Sequence, residues 1–541
     1  MSKILLFLLF SILNSIKSAK EIEARIRITV DNEWIIEKEP FSDEFQYIAT
    51  AYYTPSLDEV GWDFLTITTN NFFDDKLQAE GAGRLEGSLT KERIYNHYNN
   101  MLSTVHHLKE ETANFFKKQE EYLLSKKSEY SDNSILYNAY LLYLQFKGLR
   151  DQYNEEMPDK QINDTEFNIL NSFGDRFDID SKYDKKNFDE MTKDEIYNYF
   201  LLNNHCSALF KLKADLSDIF FGHNSWFYFN MMTRIFKEYN LNFNDRSVRA
   251  HNVMFSSYPG SIVSNDDFYY TSKGLIVIET SNANYNSSVY DLITEESLLC
   301  WQRVQISNRM AKSAKEWTEI FSEFNSGTYN NQYMILDTKK VEFGKYPQIP
   351  QESLMIIEQM PGMVEINDVT DHLKFGYWPS YNVPFGKNIS EYANITNTIK
   401  SHPERKMEIY SEYNSCSRAK IMRREHNKVS DIESMKYFMQ FNDYLNDPFS
   451  NGIPTESIAA RGDVDKKNPR CIGAFDTKLG SVEQLKKNKT KEIYLYSGAT
   501  KQVTEKLDFK SGACRKVSSE GIQPQPNFDW IIFNNKFNFD E

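Results

Sequence analysis

The apolar positions of this chain change period several times, and each change marks a different element. Arg25-Ile26-Arg27-Ile28-Thr29-Val30 and Phe64-Leu65-Thr66-Ile67-Thr68 alternate with period two, so residues 20–85 read as mostly β. From about Thr90 to Tyr130 the spacing lengthens. Ile94, Tyr98, Met101, Leu102, Val105, Leu108, Phe115 and Phe116 recur every three or four residues, which predicts helix. A second helical block covers roughly Ser134 to Tyr153. Residues 161–190 then turn polar and acidic, as in Asp175-Arg176-Phe177-Asp178, and read as a linker open to proteolytic trimming. Thr192 and Glu195 match a capping box that starts a short helix ending near Asn203.

Strand signals dominate after that helix. Cys206–Lys213 and Asp218–Asn224 flank Ala214-Asp215-Leu216-Ser217 and predict a hairpin. With Lys213 opposite Asp218, paired residue numbers sum to about 431, which sets His223 across from Ala208. Asp267–Tyr270 and Leu275–Thr280, around Thr271-Ser272-Lys273-Gly274, predict another hairpin. Helix is expected over about Ile293 to Phe324, with mixed segments beyond and no internal repeat. Helices bracketing antiparallel strand pairs predict an α+β layered sandwich.

Composition narrows the setting. The chain has 541 residues, 40% hydrophobic and 14% aromatic, far from the disordered regime. Its net charge of −14 excludes a sequence-independent nucleic-acid binder, which needs a basic field, and suits an acidic compartment. Residues 1–19 read as a secretory signal: Lys3, the apolar run Ile4–Phe10, and a small-residue cleavage site at Ser18-Ala19. Asn14, Ser15, Lys17 and Ser18 interrupt the run too early for a membrane anchor, which needs about 20 apolar residues. No later segment is long and apolar enough to span a bilayer. Sequons at Asn163, Asn286, Asn388, Asn394 and Asn488 fit a glycosylated lumenal protein, although Asn is common enough here to produce some by chance. The five cysteines, Cys206, Cys300, Cys416, Cys471 and Cys514, leave at least one thiol without an intrachain partner. Cys471 with Cys514 is the favoured pair, leaving Cys206 free. No Cys/His cluster has zinc spacing.

Cys206 carries the most chemistry. It opens a strand after the polar turn Asn204-His205, whereas a papain-like thiol would sit at a helix N-terminus. If the chain is cut before Cys206, one residue supplies both a nucleophilic sulfur and an α-amine. The amine's ordinary pKa, about 7.7–8.0, lies close to that of a thiol. His223 comes back beside the sulfur through the hairpin register, to polarise it or to orient a substrate. The plain alternatives are a buried structural thiol and a histidine satisfied at a strand end.

Several ordered motifs then add a resemblance. Cys206-Ser207-Ala208-Leu209 is followed by Gly222-His223-Asn224-Ser225-Trp226, Ser256-Ser257-Tyr258-Pro259-Gly260, Asp266-Asp267-Phe268-Tyr269 and Glu279-Thr280. Ser326–Gln332, Gly376-Tyr377-Trp378, Ser380-Tyr381-Asn382, Arg418-Ala419-Lys420-Ile421 and, upstream, Gly83-Arg84-Leu85-Glu86-Gly87 continue it. Over about residues 45–535 the chain resembles the phospholipase B-like family of lysosomal proteins. The resemblance implies an αββα sandwich of N-terminal-nucleophile type, two antiparallel sheets stacked between helical layers. It implies maturation by cleavage at the His205–Cys206 bond, giving fragments 20–205 and 206–541 that form one domain. Some relatives carry a small residue before the nucleophile; His205, bulky and basic, departs from that.

The same resemblance places Thr280 and Asn382 near Cys206, with Asn382 as an oxyanion donor. Trp226, Asn330 and Asn331 become substrate contacts, and Arg418 an anchor for an acidic head group through its planar fork. Alternatives stay open: a strand-terminal hydroxyl for Thr280, a turn for Asn382, and a solvated or ion-paired face for Arg418. The implied activity is hydrolysis of acyl ester or amide bonds in lipid or N-acyl substrates. It needs no metal or organic cofactor and takes place in a lysosome or outside the cell. The rival is a lipid-binding or carrier protein that keeps the fold with little turnover. Oligomeric state is not legible.

Overall fold

The computed structural model describes residues 20–536 apart from 43, 132, 204–205, 345–347, 408–410 and 488–489. The signal segment, His205 and Asn488 therefore lie outside the described residues. The first half contributes strands β1 (Ile22–Ile28), β2 (Trp34–Lys38), β3 (Ala49–Thr54) and β4 (Asp63–Thr69). Helices α1 (Asp75–Val105), α2 (Glu110–Ser125), α3 (Ser134–Glu156), α4 (Phe173–Tyr183) and α5 (Lys193–Asn203) follow. Next come β5 (Ser207–Leu212), β6 (Ile219–Tyr228), β7 (Ile235–Asn240), β8 (Asn252–Ser257), β9 (Phe268–Thr271) and β10 (Leu275–Ser281). Helices α6 (Cys300–Met310) and α7 (Ala314–Ser322) precede β11 (Asn331–Asp337), β12 (Leu354–Met360), β13 (Met363–Asp368) and β14 (Tyr377–Ser380). The chain ends with α8 (Ser417–Glu425), α9 (Ile432–Met439), β15 (Ile472–Ser481), β16 (Thr490–Ser497) and β17 (Ile531–Lys536).

Two sheets form. One runs β13-β12-β11-β10-β9-β8-β7-β4-β3-β1-β2 and the other β14-β5-β6-β15-β16-β17. Pairing is antiparallel except between β4 and β7. Alternate side chains explain the layering. Ile276, Ile278, Met334 and Leu336 of the larger sheet meet Ala208, Phe210, Phe221 and Leu495 of the smaller one in a single apolar cluster. The opposite face of the larger sheet, with Val277, Ile335 and Ile357, packs on Leu85, Leu142, Leu149 and Trp317 of the helices. On the outer face of the smaller sheet, Leu209, Phe220 and Leu479 bury against Met422, Met435 and Met439 of α8 and α9. The order is helices, sheet, sheet, helices.

The hairpin register is as the residue arithmetic required: Ala208 pairs with His223 and Ser207 with Asn224. The second hairpin forms as β9 and β10. The capping box is present, with Glu195 Oε2 accepting from Thr192 N at 2.7 Å. Cys471 and Cys514 form a disulfide, and Cys206, Cys300 and Cys416 are free and buried.

Two expectations fail. Helix begins at Asp75, not near Thr90, because Gly81, Gly83 and Gly87 weaken the apolar periodicity that marks a helix. Those glycines serve packing: a Cβ on Gly83 or Gly87 would collide with the α3 backbone at Gln145 or Leu149. The stretch 161–190 is also no open linker. It folds into α4, whose Gly174, Asp175, Arg176 and Ile179 are buried. Asp175, Asp178 and Asp180 of that helix turn toward hydrogen-bond partners, which composition alone cannot reveal. Among the described residues no helix is long and apolar enough to cross a membrane.

Candidate active site

Strand parity builds the site. His223 shares the inter-sheet face of β6 with Ile219 and Phe221, and Thr280 shares that of β10 with Ile276 and Ile278. Cys206 lies just before β5 with φ 85, a left-handed conformation that costs a non-glycine residue about 1–3 kcal/mol and gathers at functional sites. The thiol is 2% exposed, yet polar groups surround it. Cys206, His223 and Glu279 each offer one ligand atom, all within 4.8 Å of one another.

The ring of His223 bonds the Glu279 carbonyl oxygen through Nε2 at 2.9 Å. A carbonyl only accepts, so Nε2 carries the proton and Nδ1 the lone pair. Burial and then Lys478 hold the imidazole well below its ordinary pKa, which keeps it neutral. Burial, then the neighbouring Asp267 and Asp266, push the Glu279 carboxyl well above the carboxylate range, so it keeps its proton. The Cys206 thiol is likewise pushed well up by burial and Glu279, while the Trp226 backbone N–H and Lys478 pull it down.

Arg418, from α8, ties these pieces together. Its guanidinium donates to Cys206 O at 2.8 Å, Ser207 Oγ at 3.2 Å and Asn382 Oδ1 at 2.7 Å. It also stacks 4.3 Å from the centre of the Trp226 ring. Buried as it is, Arg418 is neither a solvated face nor open to a head group; it holds the peptide of Cys206. Asn382, left-handed at φ 68, donates its backbone N–H to Thr280 Oγ1 at 3.2 Å and its side-chain nitrogen to Ser281 O at 2.7 Å. Thr280 Oγ1 also bonds Ser380 Oγ at 2.7 Å, joining the two sheets beside Cys206. Asn382 thus sits in a left-handed turn with its amide nitrogen turned to Ser281.

The remaining expected contacts spread outward. Trp226 is 6% exposed, and its indole N–H donates to Ile458 O at 3.3 Å, making it a platform for Arg418. Asn331, with its amide turned to donate, lies 3.3 Å from Glu279 Oε2. Asn330 bonds Asp178 at 3.1 Å and lines a small cavity of about 20 Å³ with Tyr199, Ser281 and Tyr329. Tyr329 Oη also reaches Glu279 Oε1 at 3.4 Å, so this cavity adjoins the cluster. A larger cavity, about 340 Å³, is lined by Arg461, Lys501, Glu505 and Gln525 and includes none of these residues.

Sequence reasoning missed the charges behind the thiol. Arg234 pairs with Asp266 and Asp476 at 2.8 Å each, and Lys478 with Asp266 at 2.9 Å and Asp476 at 2.8 Å. This closed quartet is buried between the sheets. Burial opposes ionisation of Asp266, but Arg234 and Lys478 overcome it and hold the carboxyl below its usual range. The available signal was Lys478, a charge inside the strand Ile472–Ser481, directly opposite His223. A bulge between Ala474 and Asp476 turns Asp476 toward Ser225 N, 3.2 Å away. Of the sequons, Asn163 and Asn388 are exposed, and Asn286 and Asn394 are partly buried.

Comparison with known proteins agrees with the motif reading. The phospholipase B family profile matches residues 49–533. This chain belongs to the phospholipase B family. Phospholipase B-like protein C of Dictyostelium discoideum is 33% identical over 520 residues, covering 94% of this chain and 90% of that one. Phospholipase B-like 1 of Homo sapiens is 34% identical over 492 residues, covering 89% and 86%. Phospholipase B of Crotalus adamanteus is 35% identical over 499 residues, covering 89% and 88%. The family match takes in every strand from β3 to β16 and every residue of the cluster around Cys206.

Proposed function

We propose that this phospholipase B family member is a lumenal or secreted hydrolase of N-terminal-nucleophile type, cleaving acyl ester or amide bonds in lipid or N-acyl substrates. The observation that carries the reading is Cys206 at the head of an inter-sheet strand, in a left-handed conformation, beside a neutral histidine and under Arg418. Maturation follows from it. Cys206 Sγ attacks the His205 carbonyl carbon, His223 Nδ1 takes the thiol proton, and the C–N bond breaks as the proton passes to the departing nitrogen. The product is a thioester between His205 and the Cys206 sulfur, with a free α-amine on Cys206. Water then splits the thioester to a His205 carboxylate and a thiol.

In turnover the thiol attacks a substrate acyl carbon with its own amine as base, and water releases the acyl group from the thioester. The four-layer order supports this fold type, and the family names support phospholipid as substrate. Mass spectrometry of the mature protein tests the reading: a fragment beginning at Cys206, with cleavage and activity lost in Cys206→Ala, is expected. An intact His205–Cys206 bond after acid incubation and trimming would sink it. The buried, proton-holding thiol would then favour the carrier reading.

A further inference from the structure

The trio around the sulfur has a second chemical identity. Thiol, imidazole and carboxyl are the ligand types that zinc-class ions select, and three protein ligands leave one coordination position open. In a tetrahedral site with bonds of about 2.0–2.3 Å, ligand atoms sit roughly 3.3–3.7 Å apart. The Cys206, His223 and Glu279 atoms already lie within 4.8 Å of one another, so small side-chain rotations close the remaining gap. An independent observation points the same way. His223 is completely buried, its Nε2–H is spent on the Glu279 carbonyl, and Nδ1 has no hydrogen-bond partner.

We propose that Cys206, His223 and Glu279 form a binding site for a soft divalent cation of the zinc class, and that the bound ion holds the sulfur inactive. Coordination by sulfur requires the thiolate, so a divalent ion entering releases the thiol proton to solvent. The alkaline-earth ions, which prefer all-oxygen shells, are excluded by the sulfur and nitrogen donors. Cys300 and Cys416 belong to no such group among the described residues. The inhibitory consequence rests on Cys206 being the nucleophile; the binding itself does not.

Cobalt(II) is the probe. The full exported chain, purified in chelator and then freed of it, should bind one equivalent with a thiolate-to-cobalt absorption band, and zinc should displace the cobalt. Cys206→Ala should abolish the band, and His223→Gln or Glu279→Gln should weaken binding at least tenfold. Cys416→Ala should leave the band intact. Added zinc should slow cleavage before Cys206 and slow substrate hydrolysis, with both restored by chelation. A band that survives Cys206→Ala, or no band in wild type, overturns the proposal. Should the variants misfold, native mass spectrometry of wild type still decides, because absence of a bound zinc ion overturns it equally. Cleavage and activity without any cobalt band would remove the metal site and leave the hydrolase. A cobalt band in a chain that never cleaves would remove the hydrolase and the inhibition, while leaving the metal site.

Discussion

Replacing Arg418 by lysine isolates what its fork does. The guanidinium makes three hydrogen bonds at 2.7–3.2 Å, one of them to the carbonyl of Cys206. Lysine keeps the charge but is a point donor on a flexible stem and cannot reach Cys206 O and Asn382 Oδ1 together in one plane. A hydrogen bond from a charged donor contributes about 1.5–3 kcal/mol. If the bond to Cys206 O is the one lost and its full value is felt at the transition state of maturation, the rate falls about 10- to 150-fold. The assay is the time course of the 206–541 fragment on gels, with thermal unfolding measured in parallel. Arg424→Lys is the control: Arg424 lies on the same helix, paired with Asp447 away from the site. Arg418→Lys maturing at the wild-type rate, even with a lowered melting temperature, would show that Arg418 only supports the fold.

Three other outcomes are expected. Burial raises the Glu456 carboxyl to about 7 from its ordinary 4.5, so the folded state holds the extra proton. Its stabilisation is complete below about pH 4.5 and lost as pH rises through 7, about 3 kcal/mol in all. Glu456→Gln should therefore gain on wild type in melting temperature between pH 4.5 and 8; a constant difference refutes this. Removing the Cys471–Cys514 disulfide as a double alanine variant frees a loop of 43 residues and should cost about 4 kcal/mol, measured by denaturant unfolding. Glycan mapping should find Asn163 and Asn388 occupied more fully than Asn286, whose side-chain nitrogen is committed to Tyr392 O at 2.9 Å.

Local pattern carried the reading as far as short-range rules reach. The β5–β6 register followed from a four-residue turn, because pairing in a hairpin is fixed by where the strands reverse. Thr192 and Glu195 announced α5 through a contact three residues long. The first half of α1 is hidden because glycines chosen for helix–helix contact erase the apolar stripe, and α4 because its inward carboxylates look like solvent-facing ones. Arg418 illustrates the limit best. Beside Lys420, Arg423 and Arg424 it reads as one of a basic surface group, yet it alone is buried, under Trp226 and against Cys206.

The sequence by itself determined the alternation that makes two sheets, the hairpin that returns His223 to the thiol, and membership of the family. It could not determine which distant groups surround that thiol. Glu279, Asn382, Arg418 and Lys478 come from separate elements 73 to 272 residues further along the chain, and only the stacking of one sheet on the other brings them together. Once buried there, the proton on Glu279 and the neutrality of His223 follow from desolvation and from neighbours in space, quantities that no linear spacing encodes.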